Sequence, residues 1–296
     1  MKITVTAPTG HIGSQLVPLL LEAPGVEVTV LARNPKKVEH LAARGVRVVT
    51  GDQLDTGSID EAAKGADALF WLSGVPVNVP NVRAAYNQFA EACAGALKRN
   101  PNMRAVHLSS VGAQHPEGTG PILGLHDGEK KVNAAGANVV HLRSNYFMEN
   151  VLESLPMILS DGAIYSCIPG SAVIEQVATA DIAAAAAHYL LEAASGHYVV
   201  DVVGPERITY DEIATVVGQV LRKPVKHVQI PPDALKQALV SAGLSEDYAA
   251  QLVELDQAIA SGRVDARVGD AEWRGKITFA EFARKVVAPA ATSAAA

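Results

Sequence analysis

The clearest chemical signal in the sequence is a glycine-containing segment, TAPTGHIG (residues 6–13), between a strand pattern and a helix pattern. Gly10 would let the backbone approach an anion closely, and Gly13 would let the next helix pack close to a sheet. Unpaired N–H groups at the start of that helix attract a diphosphate. Ala7 replaces the usual first glycine and is expected to keep a negative φ. The alternative is an ordinary strand-to-helix junction. The predicted dinucleotide contacts are Thr9, Gly10, His11, Ile12 and Gly13.

Further candidate contacts stand where the next predicted strands end. Arg33 follows the second strand, where a basic residue would pair with the 2′-phosphate of NADP and an acidic one would bind the ribose of NAD. A solvated charge at a strand end is the alternative. Asp52 follows the third strand, beside the expected adenine position, or else forms a turn. Leu72, Ser73 and Gly74 follow the fourth strand, under the nicotinamide ribose. We therefore expect NADP(H) to be preferred over NAD(H).

Short β-branched runs alternate with helical patterns, which predicts βαβ units and a parallel sheet. The predicted strands are residues 3–7, 26–32, 46–50, 68–72, 105–109 and 139–143, and predicted helices include 81–98 and 129–135. A helix over 181–193 and a strand over 198–203 would return to this sheet. Helices over 209–221, 233–242 and 246–261 would follow.

These elements predict an α/β fold, a Rossmann-type doubly wound parallel sheet with a smaller, mainly helical C-terminal substrate lobe. Residues 1–151 would form the dinucleotide-binding domain, and residues 176–203 would return to it. Residues 152–175 and 204–296 would form the substrate lobe, a lid over the first domain. No internal repeat and no long linker separates the two parts.

With these motifs the chain resembles the NmrA-like branch of the atypical short-chain dehydrogenases. The most specific stretch is LRSNYFMEN (residues 142–150), which is similar to that family's strand-six signature, and VATADIA (177–183) is similar to its return to the sheet. Within the branch the chain is most similar to NAD(P)H:quinone oxidoreductases. The resemblance implies that Asn145, Tyr146 and Phe147 border the nicotinamide and substrate cavity, with Asn145 on the cofactor and the other two on the substrate.

Typical short-chain dehydrogenases use a serine with Tyr-xxx-Lys, in which the tyrosine exchanges a proton with the substrate oxygen. None of the seven tyrosines has lysine four residues later, and Pro121 and Leu125 stand near the expected tyrosine and lysine positions. Ser109 and Ser110 occupy the expected serine place, Ser109 as a catalytic candidate and Ser110 as a cofactor contact. His126, expected at the mouth of the next helix, is the substitute donor, or else a surface histidine in a loop.

Composition excludes several other functions. Lys and Arg number 25 against 31 acidic residues, a net charge of −6 without a basic cluster, which argues against nucleic-acid binding. The alanine-rich stretch 180–194 is too polar to span a bilayer. The two cysteines show no CxxC spacing, so we predict no metal site and buried, reduced thiols in a cytoplasmic protein. A small-molecule substrate is expected, and a homodimer or a protein partner stays open.

The missing proton relay narrows the expected chemistry. A quinone accepts hydride readily and its product anion is weakly basic, so water or one histidine could suffice as the acid. We therefore expect an NADPH-dependent reductase of quinone-like or other electron-poor small molecules. The alternative is a non-catalytic NADP(H)-binding redox sensor that acts through a protein partner, because a sensor has no use for a relay. Another NADP-using transformation of a small metabolite is a third possibility.

Overall fold

The computed structural model describes residues 1–192, 195–265 and 267–294. Within these residues the chain forms thirteen strands. They are β1 (Lys2–Thr6), β2 (Glu27–Ala32), β3 (Arg47–Thr50), β4 (Ala68–Trp71), β5 (Arg104–Ser110), β6 (Asn138–Ser144), β7 (Tyr146–Phe147), β8 (Ala163–Ser166), β9 (Val173–Val177), β10 (Gly196–Val203), β11 (Arg207–Thr209), β12 (Lys226–Gln229) and β13 (Ala271–Arg274).

Twelve α-helices lie between and after the strands in the same described ranges. They are α1 (Gly13–Leu21), α2 (Glu39–Ala42), α3 (Thr56–Ala63), α4 (Val82–Arg99), α5 (Ile122–Asn133), α6 (Leu155–Asp161), α7 (Thr179–Leu191), α8 (Tyr210–Leu221), α9 (Pro232–Ser241), α10 (Glu246–Ala260), α11 (Phe279–Phe282) and α12 (Ala288–Ala294). The predicted helix over 181–193 corresponds to α7, and its last predicted residue, 193, lies outside the described residues.

An eight-stranded parallel sheet forms the centre of the molecule, in the order β3-β2-β1-β4-β5-β6-β10-β13. The strand order reverses at β1, which pairs with β2 on one side and with β4 on the other. Such a switch point leaves a crevice at the carboxyl ends of the strands, where ligands of this architecture bind. The α/β class and the Rossmann-type sheet predicted from the sequence are confirmed.

Both faces of the sheet are covered, which explains why its strands are continuous apolar runs. On one face, Leu16 of α1 and Ile182 of α7 pack in one buried cluster with Val5 of β1. On the other face, Phe89 and Leu97 of α4 share a cluster with residues of β4 and β5. The carboxyl edge of the sheet is thus supported by rigid elements on both sides.

A third cluster forms the core of the C-terminal part, around Met148, Ile158, Val217 and Phe279. Two small sheets accompany it, one of β11, β9 and β7 and one of β12 and β8. Because β7 directly follows β6, the chain passes from the large sheet into this second core at the carboxyl end of β6.

Helix α5 corrects one sequence expectation. The helix was expected over 129–135 but begins at Ile122, because Gly124 and Gly128 mark close packing against α4 rather than a loop. A Cβ atom at Gly124 would lie 2.3 Å from Cβ of Tyr86, and one at Gly128 would lie 3.4 Å from Cβ of Ala90. His126 therefore stands inside a helix and not at its mouth.

None of the described helices is long and apolar enough to cross a membrane. In the described ranges no three His, Cys, Asp or Glu side chains are grouped so that they could hold a metal ion. Both cysteines, Cys93 and Cys167, are buried and free. Burial raises the pKa of each thiol, that of Cys167 to about 11, so neither is a reactive thiolate at neutral pH.

Candidate functional site

The glycine-containing loop joins β1 to α1 at the carboxyl edge of the sheet. Thr9, Gly10 and His11 are exposed, whereas Ile12 is only 2% exposed and anchors the loop in the core. No side chain caps the N-terminus of α1, and its first turn holds no acidic residue. The positive end of the α1 dipole favours an anion here, although Ser14 N and Gln15 N already donate to the carbonyls of Gly10 and Ile12 at 3.0 Å.

Ala7 does not keep the negative φ expected from its side chain. Its φ is +50°, in the left-handed region, and its carbonyl oxygen accepts a hydrogen bond from Gly10 N at 3.1 Å. The helix packs over the same carbonyl, since a Cβ atom at Gly13 would lie 2.2 Å from it. This tight turn imposes a glycine-like conformation on the alanine, at a cost of about 1–2 kcal/mol for a non-glycine residue.

Arg33 and Asp52 lie at the same edge of the sheet, after β2 and β3. Arg33 is exposed and makes no hydrogen bond or ion pair with any other described residue. The Asp52 carboxylate accepts a hydrogen bond from Leu54 N at 2.9 Å. This contact fits the alternative prediction that Asp52 forms a turn. Gln53, which the sequence reasoning missed, donates from Nε2 to the carbonyl of Leu72 at 2.9 Å. Gln53 therefore ties the end of β3 to the predicted nicotinamide side of the site.

A cavity of about 310 Å³ opens at the carboxyl ends of β4, β5 and β6, beneath α10 and the segment that follows it. Seven of the sequence-predicted site residues line it: Leu72, Ser73, Ser109, Ser110, Asn145, Tyr146 and Phe147. Pro121 and Leu125, at the expected tyrosine and lysine positions of a proton relay, line the same cavity. The two positions at which the sequence predicts a missing relay are thus apolar and face the cavity.

Sequence reasoning missed several lining residues that come from distant parts of the chain. The polar ones are Tyr86, Ser144, Asn150, Glu175 and Asp265, and the apolar ones include Leu255, Ile259 and Val264. Ser144 and Asn150 lie in the stretch 142–150, but no local motif marks the others, which reach the cavity only because distant elements pack around the edge of the sheet.

Ser109 belongs to a buried network beneath the cavity. Its hydroxyl donates to the Glu129 carboxylate at 2.6 Å, and Arg143 binds the same carboxylate through two hydrogen bonds, of 2.9 and 2.6 Å. Burial alone would raise the pKa of Glu129, but Arg143 and the Ser109 hydrogen bond hold that pKa below its usual value. Glu129 is therefore an anion, and Ser109 presents lone pairs to the cavity rather than a hydrogen.

Two strand histidines flank this network and are uncharged. His107 Nδ1 lies 2.9 Å from His141 Nδ1, and His141 Nε2 lies 2.9 Å from Asn133 Oδ1. Burial lowers the pKa of His107 to about 4 and that of His141 to about 3. They are neutral core histidines with local hydrogen bonds.

His126 is not among the residues that line the cavity. It is 9% exposed, and its Nδ1 lies 2.7 Å from the carbonyl oxygen of Ala113, so this nitrogen carries the hydrogen. The alternative prediction, a surface histidine in a loop, is wrong, because His126 is buried within α5. A catalytic role of His126 stays a prediction that requires its other ring nitrogen to reach a substrate.

Charged side chains lie at one side of the cavity. Asn145 Nδ2 donates to Glu175 at 3.2 Å, and Arg267 and Arg274 pair with the same carboxylate. Asp265, which also lines the cavity, lies 3.6 Å from Arg207. The lining contains these two carboxylates and no lysine or arginine among the described residues. Its remaining surface is mainly apolar.

The parallel sheet, its switch point and the glycine loop define a Rossmann-type fold. The profile of the NmrA-like family matches residues 1–283, and the chain belongs to this family. The chain is 30% identical over 289 residues to the NAD(P)H azoreductase of Xenophilus azovorans, which covers 95% of this chain and 96% of that protein. It is 28% identical to quinone oxidoreductase 2 of Escherichia coli, over 88% of each chain.

Solved structures share the fold. The NADPH-dependent quinone oxidoreductase of Escherichia coli, determined in complex with NADPH, superposes with a TM-score of 0.73 at 24% identity. The superposition covers 96% of this chain and 99% of that chain. The architecture therefore extends over both the sheet and the C-terminal part.

Proposed function

We propose that this protein is an NADPH-dependent reductase that passes hydride to a quinone-like or other electron-poor small molecule without a Tyr-xxx-Lys relay. The observation that carries the proposal is one cavity at the carboxyl ends of β4, β5 and β6, lined by the apolar Pro121 and Leu125 near the positions expected for a relay. The reductase names of the two sequence relatives support the same class of reaction.

The residues at the sheet edge fit a dinucleotide. The uncapped start of α1 and the exposed loop residues Thr9 and His11 would face the diphosphate, whereas Gly10 N already donates to the Ala7 carbonyl. A Cβ atom at Gly10 would meet only the Ala7 carbonyl, at 3.5 Å, so the space above the loop is open. The unpaired guanidinium of Arg33 would hold the 2′-phosphate of NADPH, which is the basis for preferring NADP(H).

The remaining residues would position the nicotinamide and the substrate. Bound NADPH would supply the hydride. Ser73, Ser110 and Asn145 would face the nicotinamide side, with the Asn145 amide oriented by its hydrogen bond to Glu175. Phe147 and the apolar side chains of α10 would exclude water from the reacting atoms.

The arrangement favours acceptors whose reduced oxygen is weakly basic. An ordinary ketone becomes a strongly basic alkoxide and needs an acid of matched pKa, which the Pro121 and Leu125 positions cannot supply. A quinone becomes a phenol-like anion, which needs only a hydrogen-bond donor. The proposed substrate is therefore an electron-poor acceptor rather than a simple ketone.

The proposal is tested by following the absorbance of NADPH with a panel of quinones, alongside calorimetric binding of NADPH. Oxidation with at least one quinone is expected for the unaltered protein, and its loss in His126→Ala would support the predicted catalytic role of His126, which does not line the cavity. Ser109→Ala is expected to lower activity by loosening the substrate pocket. Tight NADPH binding without oxidation of any acceptor would contradict the reductase and favour the redox sensor.

A further inference from the structure

A path of hydrogen bonds connects the glycine-containing loop to the stretch 142–150. It begins at the Glu149 carboxylate and reaches the Thr179 side chain at the start of α7. From there it continues to Gln15 of α1 and ends on the backbone carbonyl of His11. Gln15 and Thr179 are 164 residues apart in the sequence, so only the fold brings them together.

The donor and the acceptor of each bond in this path are fixed by the groups present. Glu149 Oε1 accepts from the Thr179 hydroxyl at 2.5 Å, and the two carboxylate oxygens accept from Thr179 N at 3.0 and 3.1 Å. A carboxylate only accepts, so the hydroxyl must donate to it. Thr179 Oγ1 then offers lone pairs to Gln15, whose Nε2 donates to it at 2.9 Å. Gln15 Nε2 also donates to the carbonyl oxygen of His11 at 2.7 Å.

The middle of the path is buried and held at both ends. Thr179 is 1% exposed, and Gln15 and Glu149 are half-buried. Ala178, the residue before α7, has no side chain that could cap this helix, so the Glu149 carboxylate takes the place of a cap at the Thr179 amide. The Thr179 hydroxyl therefore has a single orientation, and that orientation fixes the side-chain amide of Gln15.

At its other end the path fixes a peptide plane of the glycine loop. The carbonyl of His11 and the amide of Ile12 belong to one planar trans peptide, so they point in opposite directions. Gln15 holds the carbonyl from the first turn of α1, on the C-terminal side. The Ile12 amide therefore points towards the open N-terminal end of that helix. Neither Ile12 N nor Gly13 N donates to any of the described residues.

Several neighbouring amides are already used. Ser14 N donates to the carbonyl of Gly10, and Gln15 N donates to the carbonyl of Ile12, each at 3.0 Å. Gly10 N is bonded within the loop at 3.1 Å. The Ile12 amide is one of those left for an anion at this helix start, and it is the amide that Gln15 orients.

We propose that this path positions the dinucleotide by aiming the Ile12 amide at its diphosphate, with Gln15 as the residue that holds the loop. Thr179 and Glu149 act through Gln15. The inference rests on the proposed function, because it takes the glycine loop as the diphosphate site. The path holds a donor in place before the anion arrives, so binding does not have to order it. Because Glu149 belongs to the stretch that lines the cavity, the path also fixes the cofactor loop relative to the substrate side.

Calorimetric titration with nucleotides tests the inference without turnover. Gln15→Met keeps the length of the side chain but removes its donors, and it is expected to lower NADPH affinity about twofold to tenfold, the effect of one neutral hydrogen bond. NADH affinity should fall by the same factor, because both nucleotides carry the diphosphate. Affinity for adenosine 2′-monophosphate, which has no diphosphate, should stay unaltered. A general loosening of the fold would instead weaken all of these ligands alike.

Two changes at Thr179 separate its hydroxyl from its packing. Valine has nearly the shape of threonine, so Thr179→Val is expected to lower NADPH affinity as Gln15→Met does, whereas Thr179→Ser keeps the hydroxyl and the affinity. Thr215→Val is the matched control, because the Thr215 hydroxyl donates to the carbonyl of Asp211 on the exposed side of α8, and it should leave NADPH affinity unaltered.

Combining Gln15→Met with Thr179→Val tests whether the two residues act as one path. The combined loss of NADPH affinity should equal that of a single variant, because the second change removes a bond that the first has already made useless. Losses that multiply would mean that the two side chains act separately, which contradicts the path. If Thr179→Val does not fold, as judged by circular dichroism, Gln15→Met alone decides.

The outcomes also separate this inference from the function on which it rests. If quinones oxidise NADPH but Gln15→Met keeps the unaltered NADPH and NADH affinities, the path does not position the dinucleotide and the reductase stands. If no acceptor is reduced yet Gln15→Met weakens both nucleotides alike, the positioning role stands and the reductase is wrong. An unaltered protein that binds neither nucleotide would overturn both.

Discussion

The Ser109 hydroxyl donates a 2.6 Å hydrogen bond to the carboxylate of Glu129, which makes the serine an acceptor towards the cavity. The same carboxylate receives two hydrogen bonds from Arg143, and all three side chains are less than 10% exposed. Ser109, which the sequence suggested as a catalytic residue, is therefore part of the buried network beneath the cavity. Its orientation depends on an ion pair between α5 and β6.

Replacing Glu129 by glutamine tests this network. The change leaves the Arg143 guanidinium buried without a counter-charge, which is expected to lower the free energy of unfolding by about 3–5 kcal/mol. Urea unfolding followed by circular dichroism measures the loss. The matched control is Asp127→Asn, whose partner Arg83 is 45% exposed, and here the expected loss is about 0–1 kcal/mol. Equal losses in the two variants would mean that the buried pair stabilises no more than the exposed one.

The large sheet could be predicted from the sequence because its strands are buried on both faces. Such strands are short, continuous apolar runs, and β4 was expected over 68–72 and lies at Ala68–Trp71. The start of α5 could not be predicted, since Gly124 has the same appearance in a loop and in a tight helix contact. Only the position of Tyr86 on α4 distinguishes the two.

Site residues could be predicted where several of them lie in one segment of the sequence. They could not be predicted where the fold brings single residues together from distant segments. The loop over residues 6–13 and the stretch 142–150 each combine several contacts in one motif, and Asn145, Tyr146 and Phe147 line the cavity. Glu175 and Asp265 carry no motif and reach the cavity only through folding.

Two glycines of the loop are expected to fail in different ways when changed to alanine. A Cβ atom at Gly13 would lie 2.2 Å from the Ala7 carbonyl oxygen, so Gly13→Ala must displace the turn and lower the thermal midpoint of unfolding. A Cβ atom at Gly10 would lie 3.5 Å from the same oxygen, an ordinary contact, so Gly10→Ala keeps the midpoint. It would still occupy space proposed for the diphosphate, and calorimetry is expected to show weaker NADPH binding. Unchanged NADPH affinity in Gly10→Ala would place the diphosphate elsewhere.

Nucleotide preference is tested at Arg33. Arg33→Asp removes the proposed partner of the 2′-phosphate, and a charge-assisted contact of about 1.5–3 kcal/mol corresponds to about a tenfold to a hundredfold loss of NADPH affinity. NADH affinity is expected to change much less. Arg44→Asp makes the same change of charge on an exposed residue before β3, at the opposite edge of the sheet, and should leave both affinities unaltered. Equal losses for both nucleotides in Arg33→Asp would remove Arg33 from the phosphate site.

The last prediction concerns Asp256, a partly buried carboxyl on α10 that accepts a hydrogen bond from Cys167 N at 3.1 Å. Burial raises its pKa from an ordinary 3.8 to about 6, so the folded state resists its ionisation. For a raised carboxyl pKa, the stabilising contribution is complete below the unfolded value and is lost as pH rises through about 6. Asp256→Asn is neutral throughout, so its stability relative to the unaltered protein should increase between pH 4.5 and pH 7, by at most about 3 kcal/mol.

The matched control for Asp256 is Asp55, whose pKa is lowered by hydrogen bonds from Ser58 at the start of α3. The sign is then opposite, because a lowered carboxyl pKa contributes stability above the unfolded value and loses it as pH falls. Urea unfolding at pH 4.5, 5.5 and 7 is expected to show a nearly constant stability of Asp55→Asn relative to the unaltered protein, because Asp55 is ionised in both states there, over the range in which Asp256→Asn gains stability. A pH-independent difference for Asp256→Asn would mean that Asp256 ionises as readily in the folded chain as in the unfolded one.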